Sequence, residues 1–308
     1  MHQKKIIAIV GPTATGKSDF AVALARHINA HKKIFGVAEA EIISADSRQV
    51  YRGLTIGAGK ITAKEMKGVP HHLLDVASPS RIYTVARYQK AAQKIITQLQ
   101  KKNIVPILCG GTGLYIDAIL YGYIFPAVKP NASLRKRLET LSTEKLFALL
   151  SKKDPTRAAR IDRFNRRRLI RALEIIEATK KPIPPLLKQA CYDALIIGIH
   201  PDADTLTARI HARLIKRMKQ GMIGEVANLH TQGVSWKRLE DLGLEYRYVA
   251  RFLQGALSKQ DMLLHLESEI NKFAKRQMTW FKRNKEIVWM ERADAKKAET
   301  LVREFMKK

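Results

Sequence analysis

The sequence predicts an α/β fold: a parallel-sheet core interrupted by an inserted all-helical domain. Three observations carry that expectation. Residues 4–10 are a short apolar, β-branched run that passes directly into the loop GPTATGKS at 11–18 and then into a helical pattern. Residues 104–113 repeat the arrangement as IVPILC followed by GGTG. Beyond Pro126 the strand–helix rhythm stops, and it resumes only with YDALIIGIH at 192–200. Alternating βα units build parallel sheets, and a block that suspends the alternation is most simply an insertion. The expected division is 1–125 and 192–308 for the core and 126–191 for the helical insertion.

The first loop, Gly11, Pro12, Thr13, Ala14, Thr15, Gly16, Lys17 and Ser18, fits G-x-x-x-x-G-K-[ST] at every fixed position. This makes the core P-loop NTPase-like. Its glycines let backbone N–H groups turn inward around phosphate oxygens, and the new helix points its positive end at them. Lys17 adds a point charge and Ser18 can hold Mg²⁺. The loop predicts a bound di- or triphosphate without choosing between them. Phe20, Leu24 and Ile28 then share one helical face, and residues 30–40 read as a loop. Residues 41–45, EIISA, predict a second strand that ends at Asp46. Ligands of parallel sheets sit off the carboxyl ends of strands, so Asp46 is a candidate to act on substrate or metal. A turn or capping role fits an Asp-Ser pair equally well.

Glycines at 53, 57, 59 and 68 predict a mobile loop. His71 and His72 lack a third ligand at metal spacing and are read as structural. Residues 83–101 are helical, with Val85, Tyr88, Ala92, Ile95, Ile96 and Leu99 on one face. Past the strand at 104–109, Gly110, Gly111, Thr112 and Gly113 can offer N–H groups and the Thr112 hydroxyl to a ligand.

In the helical block of 131–188, Arg160, Arg163, Arg167 and Arg171 recur at helical spacing. They predict one basic stripe, with Ile161, Phe164, Leu169, Leu173 and Ile176 on an apolar side. Few acids interleave, which favours phosphate contact over a solvated face. Residues 206–220 predict a helix carrying Arg209, Arg213 and Arg217, either solvated or returning one arginine over the phosphate site. Residues 267–285 predict another, with Ile270, Phe273, Trp280 and Phe281 inside and a ridge of Lys275, Arg276, Lys282 and Arg283. A last strand at 287–290 and a polar terminal helix close the chain.

The net charge of +28 points to a polyanionic partner, either nucleic acid or an anionic membrane. Cys109 and Cys191 alone cannot build a disulfide framework or a four-cysteine zinc site. With no signal peptide and no apolar run near 18 residues, the expectation is a cytoplasmic protein without a membrane span.

Several segments together go beyond a phosphate loop. They are GPTATGKS at 11–18, SADSRQVYRGLTIGAGK at 44–60, PHHLLDV at 70–76 and GGTGLY at 110–115, followed by RRRLIRALEI at 166–175, ARIHARLIKRM at 208–218 and AKRQMTWFKR at 274–283. In this order and over nearly the full length, the chain resembles the tRNA dimethylallyltransferase family. The resemblance implies transfer of a dimethylallyl group from dimethylallyl diphosphate to the exocyclic amine of the adenosine 3′ to the anticodon, with Mg²⁺ present. It implies Asp46 as base, Thr112 in contact with substrates, and Arg213 with Lys17 on the diphosphate. Contacts to the anticodon stem-loop of tRNA fall to Asp46, Ser47, Arg48, Gln49, Thr112, Arg135, Arg167, Arg168, Arg171, Arg247, Lys275, Arg276, Gln277, Trp280 and Lys282. A monomer is implied. The chain departs from the family pattern at 30–40, which is longer than usual, at 243–247, where many members carry a Gly-Tyr pair, and after Lys60, which lacks the usual proline. A P-loop kinase for a small molecule or nucleotide is the alternative; it would spend ATP.

Overall fold

The computed structural model describes residues 5–185 and 189–307. Lys4, expected in the first strand, and residues 186–188, expected at the end of the helical block, lie outside the described residues. The chain divides into two compact units, Met1–Gly122 with Gln189–Lys308, and Tyr123–Lys188.

The larger unit is built on a parallel sheet of β1 (Lys5–Val10), β2 (Glu39–Ser44), β3 (His71–His72), β4 (Ile104–Gly110), β5 (Asp193–Ile199) and β6 (Val288–Met290). Among the described residues the order is β3-β2-β4-β1-β5-β6, every pair parallel. Ile7 is in register with Ile107 on one side and Leu195 on the other. The period of two is visible in β1: Ile6, Ala8 and Val10 enter one core layer, Ile7 and Ile9 the other. A strand covered on both faces must be apolar throughout, which is why residues 6–10 carry no polar side chain.

The second layer is closed by α1 (Lys17–Ala30), α2 (Lys32–Phe35) and, at the far end of the chain, α15 (Ala295–Lys307). The first is closed by α4 (Val85–Lys101), α5 (Gly113–Leu120), α10 (Ala203–Lys219), α11 (Met222–Thr231), α12 (Trp236–Leu242), α13 (Leu244–Leu253) and α14 (Lys259–Phe281). The short α3 (Ala63–Met66) starts with a capping box between Thr62 and Glu65.

Four expectations change here. Residues 30–40 are not a plain loop: Phe35 is buried in α2, and β2 already begins at Glu39. The terminal helix is amphipathic, burying Ala298, Val302, Phe305 and Met306. Helix α14 starts eight residues before 267 and ends at Phe281, so Lys282 is its C-cap and Arg283 lies past it. The glycine-rich segment after Gly53, expected to be mobile, is anchored. The N–H groups of Thr55, Ile56 and Gly57 donate to the Glu225 carboxylate at 2.9, 2.6 and 3.0 Å, and Ala58 N–H donates to the Tyr246 hydroxyl at 3.0 Å.

The smaller unit contains α6 (Ala132–Glu139), α7 (Thr143–Lys153), α8 (Pro155–Ala158) and α9 (Arg166–Thr179) around its own core of Leu134, Leu138, Leu146, Leu150, Leu169, Leu173 and Ile176. The arginine stripe is broken. Helix α8 ends at Ala158 and Asn165 caps the start of α9, so Arg160 and Arg163 stand in the turn between the two rather than on a helix with Arg167 and Arg171. Phe164, expected inside, sits in that same turn and is 73% exposed.

Candidate active site

Three loops leave the carboxyl ends of the neighbouring strands β2, β4 and β1, and these loops build the site. The loop after β1 is shaped by backbone demands. Gly11 has φ +144°, and a Cβ there would lie 2.3 Å from the Ile199 carbonyl oxygen, so only glycine fits. Thr15 Oγ1 donates to the Pro12 carbonyl at 3.0 Å and closes the loop on itself. Lys17 Nζ also donates to Pro12 O, and lies 3.4 Å from Thr15 Oγ1.

Two helices from later in the chain hold this loop. Arg213 of α10 donates to the Thr13 hydroxyl. Gln277 of α14, buried, accepts from Thr13 N–H at 2.8 Å and donates to Gly111 O at 2.8 Å, tying the first glycine loop to the second. Among the described residues neither Lys17 nor Arg213 has a carboxylate as hydrogen-bond partner. Burial lowers Lys17 to about 8, assisted by Arg213 and opposed by Cys109 and Asp46. The Lys17 side chain keeps some solvent exposure, yet protein crowds its ammonium. Burial likewise lowers Arg213 to about 10, with Arg217 adding to the shift. The Cys109 thiol, buried at the end of β4, is pushed up to about 11 by burial despite neighbouring Lys17. Unpaired, desolvated cations favour an anion as ligand.

Asp46 emerges just past β2. Its Oδ1 accepts from the N–H groups of Arg48 and Gln49 at 2.7 and 3.3 Å, an Asx-type turn that fixes the carboxylate plane. Its Oδ2 accepts no hydrogen bond from the described residues. Thr112 Oγ1 accepts from Ser47 N–H at 3.0 Å, and Thr112 N–H donates to Ala45 O at 3.2 Å, so the β4 loop braces the β2 loop. Arg48 has its guanidinium lowered by burial, with Asp46 and Tyr51 opposing. Gln49 bridges Ser44 Oγ and Gly59 O at 3.1 Å each. At the start of α5, a Cβ on Gly113 would meet Trp280 at 2.2 Å. Trp280 Nε1 donates to Asp117 at 3.1 Å, and Arg283 lies 4.1 Å above its ring.

A cavity of about 250 Å³ opens among these groups. Its lining includes Thr13, Asp46, Ser47, Arg48 and Thr112 from the strand-end loops, with Arg217, Arg247, Tyr248, Phe273 and Arg276 from later helices. Of the residues expected to act, the structure brings the loop at 11–18, Asp46, Thr112 and Arg213 together. Ser18 is exposed in the first turn of α1. Lys275 and Arg276 are exposed on α14, and Arg276 reaches Glu269 at 4.0 Å. Arg167 and Arg168 are exposed at the start of α9. Arg135 and Arg171 are committed elsewhere: both bind Glu174, which is 1% exposed.

Sequence reasoning missed the frame behind the cavity. Arg217 donates to Gly57 O at 3.0 Å and to Glu245 at 2.9 Å, while Tyr246 donates to Glu225 at 2.9 Å. The clustered glycines at 57 and 59 were the available signal, since a Cβ at either would strike Tyr246 or Arg217. His72 pairs with Glu41 at 2.6 Å, and His71 Nδ1 lies 2.8 Å from Val69 O. Among the described residues no group of three His, Cys, Asp or Glu side chains could hold a metal, and no helix is long and apolar enough to cross a membrane.

Residues 49–284 match the family model described as IPP transferase. The chain is 40% identical over 293 residues to a protein of Geotalea uraniireducens named tRNA dimethylallyltransferase 1, covering 93% of this chain and 92% of that one. It is similar to the crystal structure of a tRNA isopentenylpyrophosphate transferase from Bacillus halodurans at 34% identity and TM-score 0.71, covering 99% and 96% of the two chains. At 22% identity and TM-score 0.74, it shares its fold with a eukaryotic dimethylallyltransferase acting on tRNA, covering 96% of this chain and 75% of that one.

Proposed function

Because the chain belongs to the tRNA dimethylallyltransferase (IPP transferase) family, we propose that it moves a dimethylallyl group from dimethylallyl diphosphate to the N6 amine of the adenosine 3′-adjacent to the anticodon, releasing diphosphate. The observation that carries the residue-level reading is Asp46, with one carboxylate oxygen tethered by two N–H groups and the other unbonded, in the same cavity as Thr13 of the phosphate loop.

An adenine amine is a weak nucleophile because its lone pair is delocalised into the ring. A carboxylate within hydrogen-bond reach accepts its proton as the C–N bond forms, and Asp46 Oδ2 takes that role. As the C–O bond of the donor breaks, charge builds on the diphosphate. Lys17, Arg213 and the N–H groups of the loop stabilise that charge most in the transition state, where it is greatest. Thr112, braced against Ser47, orients the acceptor beside Asp46. Ser18 fits Mg²⁺ as one oxygen ligand at the phosphate loop; such an ion takes oxygen donors, keeps waters and rides largely on substrate phosphates. When bound it would supply further charge neutralisation at the leaving group.

The acceptor base must leave its stack, which single-stranded loops allow at low cost. Arg48, Arg247 and Arg276 along the cavity, with Lys275 on α14 and Lys282 at its C-cap, would hold the RNA backbone meanwhile, and Arg167 and Arg168 would add contacts from the helical unit. The same reading has the enzyme act as a cytoplasmic monomer, where its tRNA substrate is.

Incubation with unmodified tRNA, labelled dimethylallyl diphosphate and Mg²⁺ tests this. The wild type labels RNA without consuming ATP, which a kinase could not do. Asp46→Asn lowers single-turnover transfer by about 10²–10⁴-fold, with tRNA affinity within a few-fold. Near-normal turnover in that variant removes Asp46 as base.

A further inference from the structure

All the strands of the sheet run parallel, so the segment that follows β3 emerges at the edge that also carries the phosphate loop, Asp46 and Thr112. There Arg52, Arg81 and Arg87 surround a cavity of about 420 Å³ whose lining also includes Val76, Ile82 and Tyr83 and no acidic residue. The acid beside it in sequence, Asp75, is bound by the buried Lys60 ammonium. Arg52 donates to the Asp75 carbonyl at 3.3 Å, and none of the three arginines forms an ion pair with a described residue.

Apolar surface is left open between these charges: Val76 is 43% and Ile82 59% exposed. The wall behind is fixed. Arg238 donates to Pro79 O at 2.7 Å and to Arg81 O at 3.1 Å, and Tyr83 N–H donates to the Tyr51 hydroxyl at 2.9 Å. Guanidinium forks match phosphate oxygens, and apolar or aromatic side chains between them suit ribose and base faces.

We propose that this cavity is a second RNA subsite, one that holds backbone phosphates of the substrate tRNA away from the nucleotide being modified. The inference rests on the tRNA-modifying reading above. None of its lining residues lines the reaction cavity.

The test is the salt dependence of unmodified tRNA binding to the full chain, from low salt to about 200 mM. Arg81→Gln with Arg87→Gln removes two charges from exposed side chains. The expected result is a log–log slope shallower by roughly one to two and an affinity lower by about tenfold. Lys101→Gln with Lys102→Gln removes equal charge next to the amino end of β4, at the opposite edge, and is expected to leave the slope near that of the wild type. KM for dimethylallyl diphosphate stays unchanged in the arginine variant if the cavity holds RNA; a rise confined to that KM, with the RNA slope intact, would assign it to the donor and overturn the proposal. An unchanged slope, or equal losses in the two pairs, overturns it as well. A wild type that fails to label RNA would instead sink the tRNA reading itself, whatever the slopes.

Discussion

Two clusters of buried charge in this molecule are built on opposite terms. In the helical unit, Glu174 accepts from Arg135 Nε and Nη2 at 2.9 Å each, from Asn131 N–H at 2.6 Å and from Arg171 at 2.5 Å. Burial alone would push its carboxyl up, but these bonds outweigh burial and leave it below its ordinary value. At the phosphate loop, Lys17 and Arg213 are desolvated and, among the described residues, donate to one carbonyl and two hydroxyls, with no carboxylate partner. A satisfied cluster clamps α6 to α9 and leaves nothing for a ligand to complete. An unsatisfied one costs stability in the free protein, and that cost is sustained where an anion arrives. The contrast gives Arg135 and Arg171 a structural part in the helical unit, where both hold Glu174.

The contrast can be broken from either side. The largest effect belongs to the unsatisfied cluster. Arg213→Met should reduce single-turnover transfer about a hundredfold while tRNA affinity stays within a few-fold. A loss seen only in RNA binding would mean that Arg213 serves the polyanion and not the leaving group. A smaller effect, on stability, belongs to the satisfied cluster. Glu174→Ala should cost about 2 kcal/mol in urea unfolding, less than a fully buried pair because Arg135 and Arg171 can turn to water. Adding Arg135→Met and Arg171→Met should recover much of that loss. The sign with pH follows from the lowered carboxyl: the stabilisation is present above the unfolded value of 4.5 and is lost as pH falls through the folded one.

The parts of the fold that the sequence made legible are those governed by local pattern. Residues 5–10 and 104–110 alternate between two apolar layers, and the glycine loops sit where a strand hands over to a helix. Asp46 and Thr112 could be placed because they follow strands directly. What stayed hidden depended on partners distant in sequence. Arg160 and Arg163 fit a helical period, but α8 ends at Ala158 and α9 begins only after its cap Asn165, so no helix carries them. Arg135 reads as a surface cation until Glu174 comes beside it, 39 residues on. Glu225 is one acid among many until three N–H groups from residues 55–57 converge on it, some 170 positions earlier in the chain.

The most direct test of the unsatisfied cluster is the pH dependence of dimethylallyl diphosphate affinity in the wild type and in Lys17→Met. With Lys17 at about 8 in the free fold against 10.5 unfolded, the folded chain holds fewer protons across that window, so its stability rises with pH there. On the proposed reading the Lys17 ammonium binds the donor, whose terminal phosphate, titrating near pH 6 as phosphate monoesters do, is already ionised above about pH 7. Affinity should therefore be level from about pH 7 to about 8 and then weaken towards tenfold per unit, and Lys17→Met should bind more weakly with no such break. Affinity that stays flat from pH 7 to about 9.5 in the wild type, or the same break in Lys17→Met, would contradict the account.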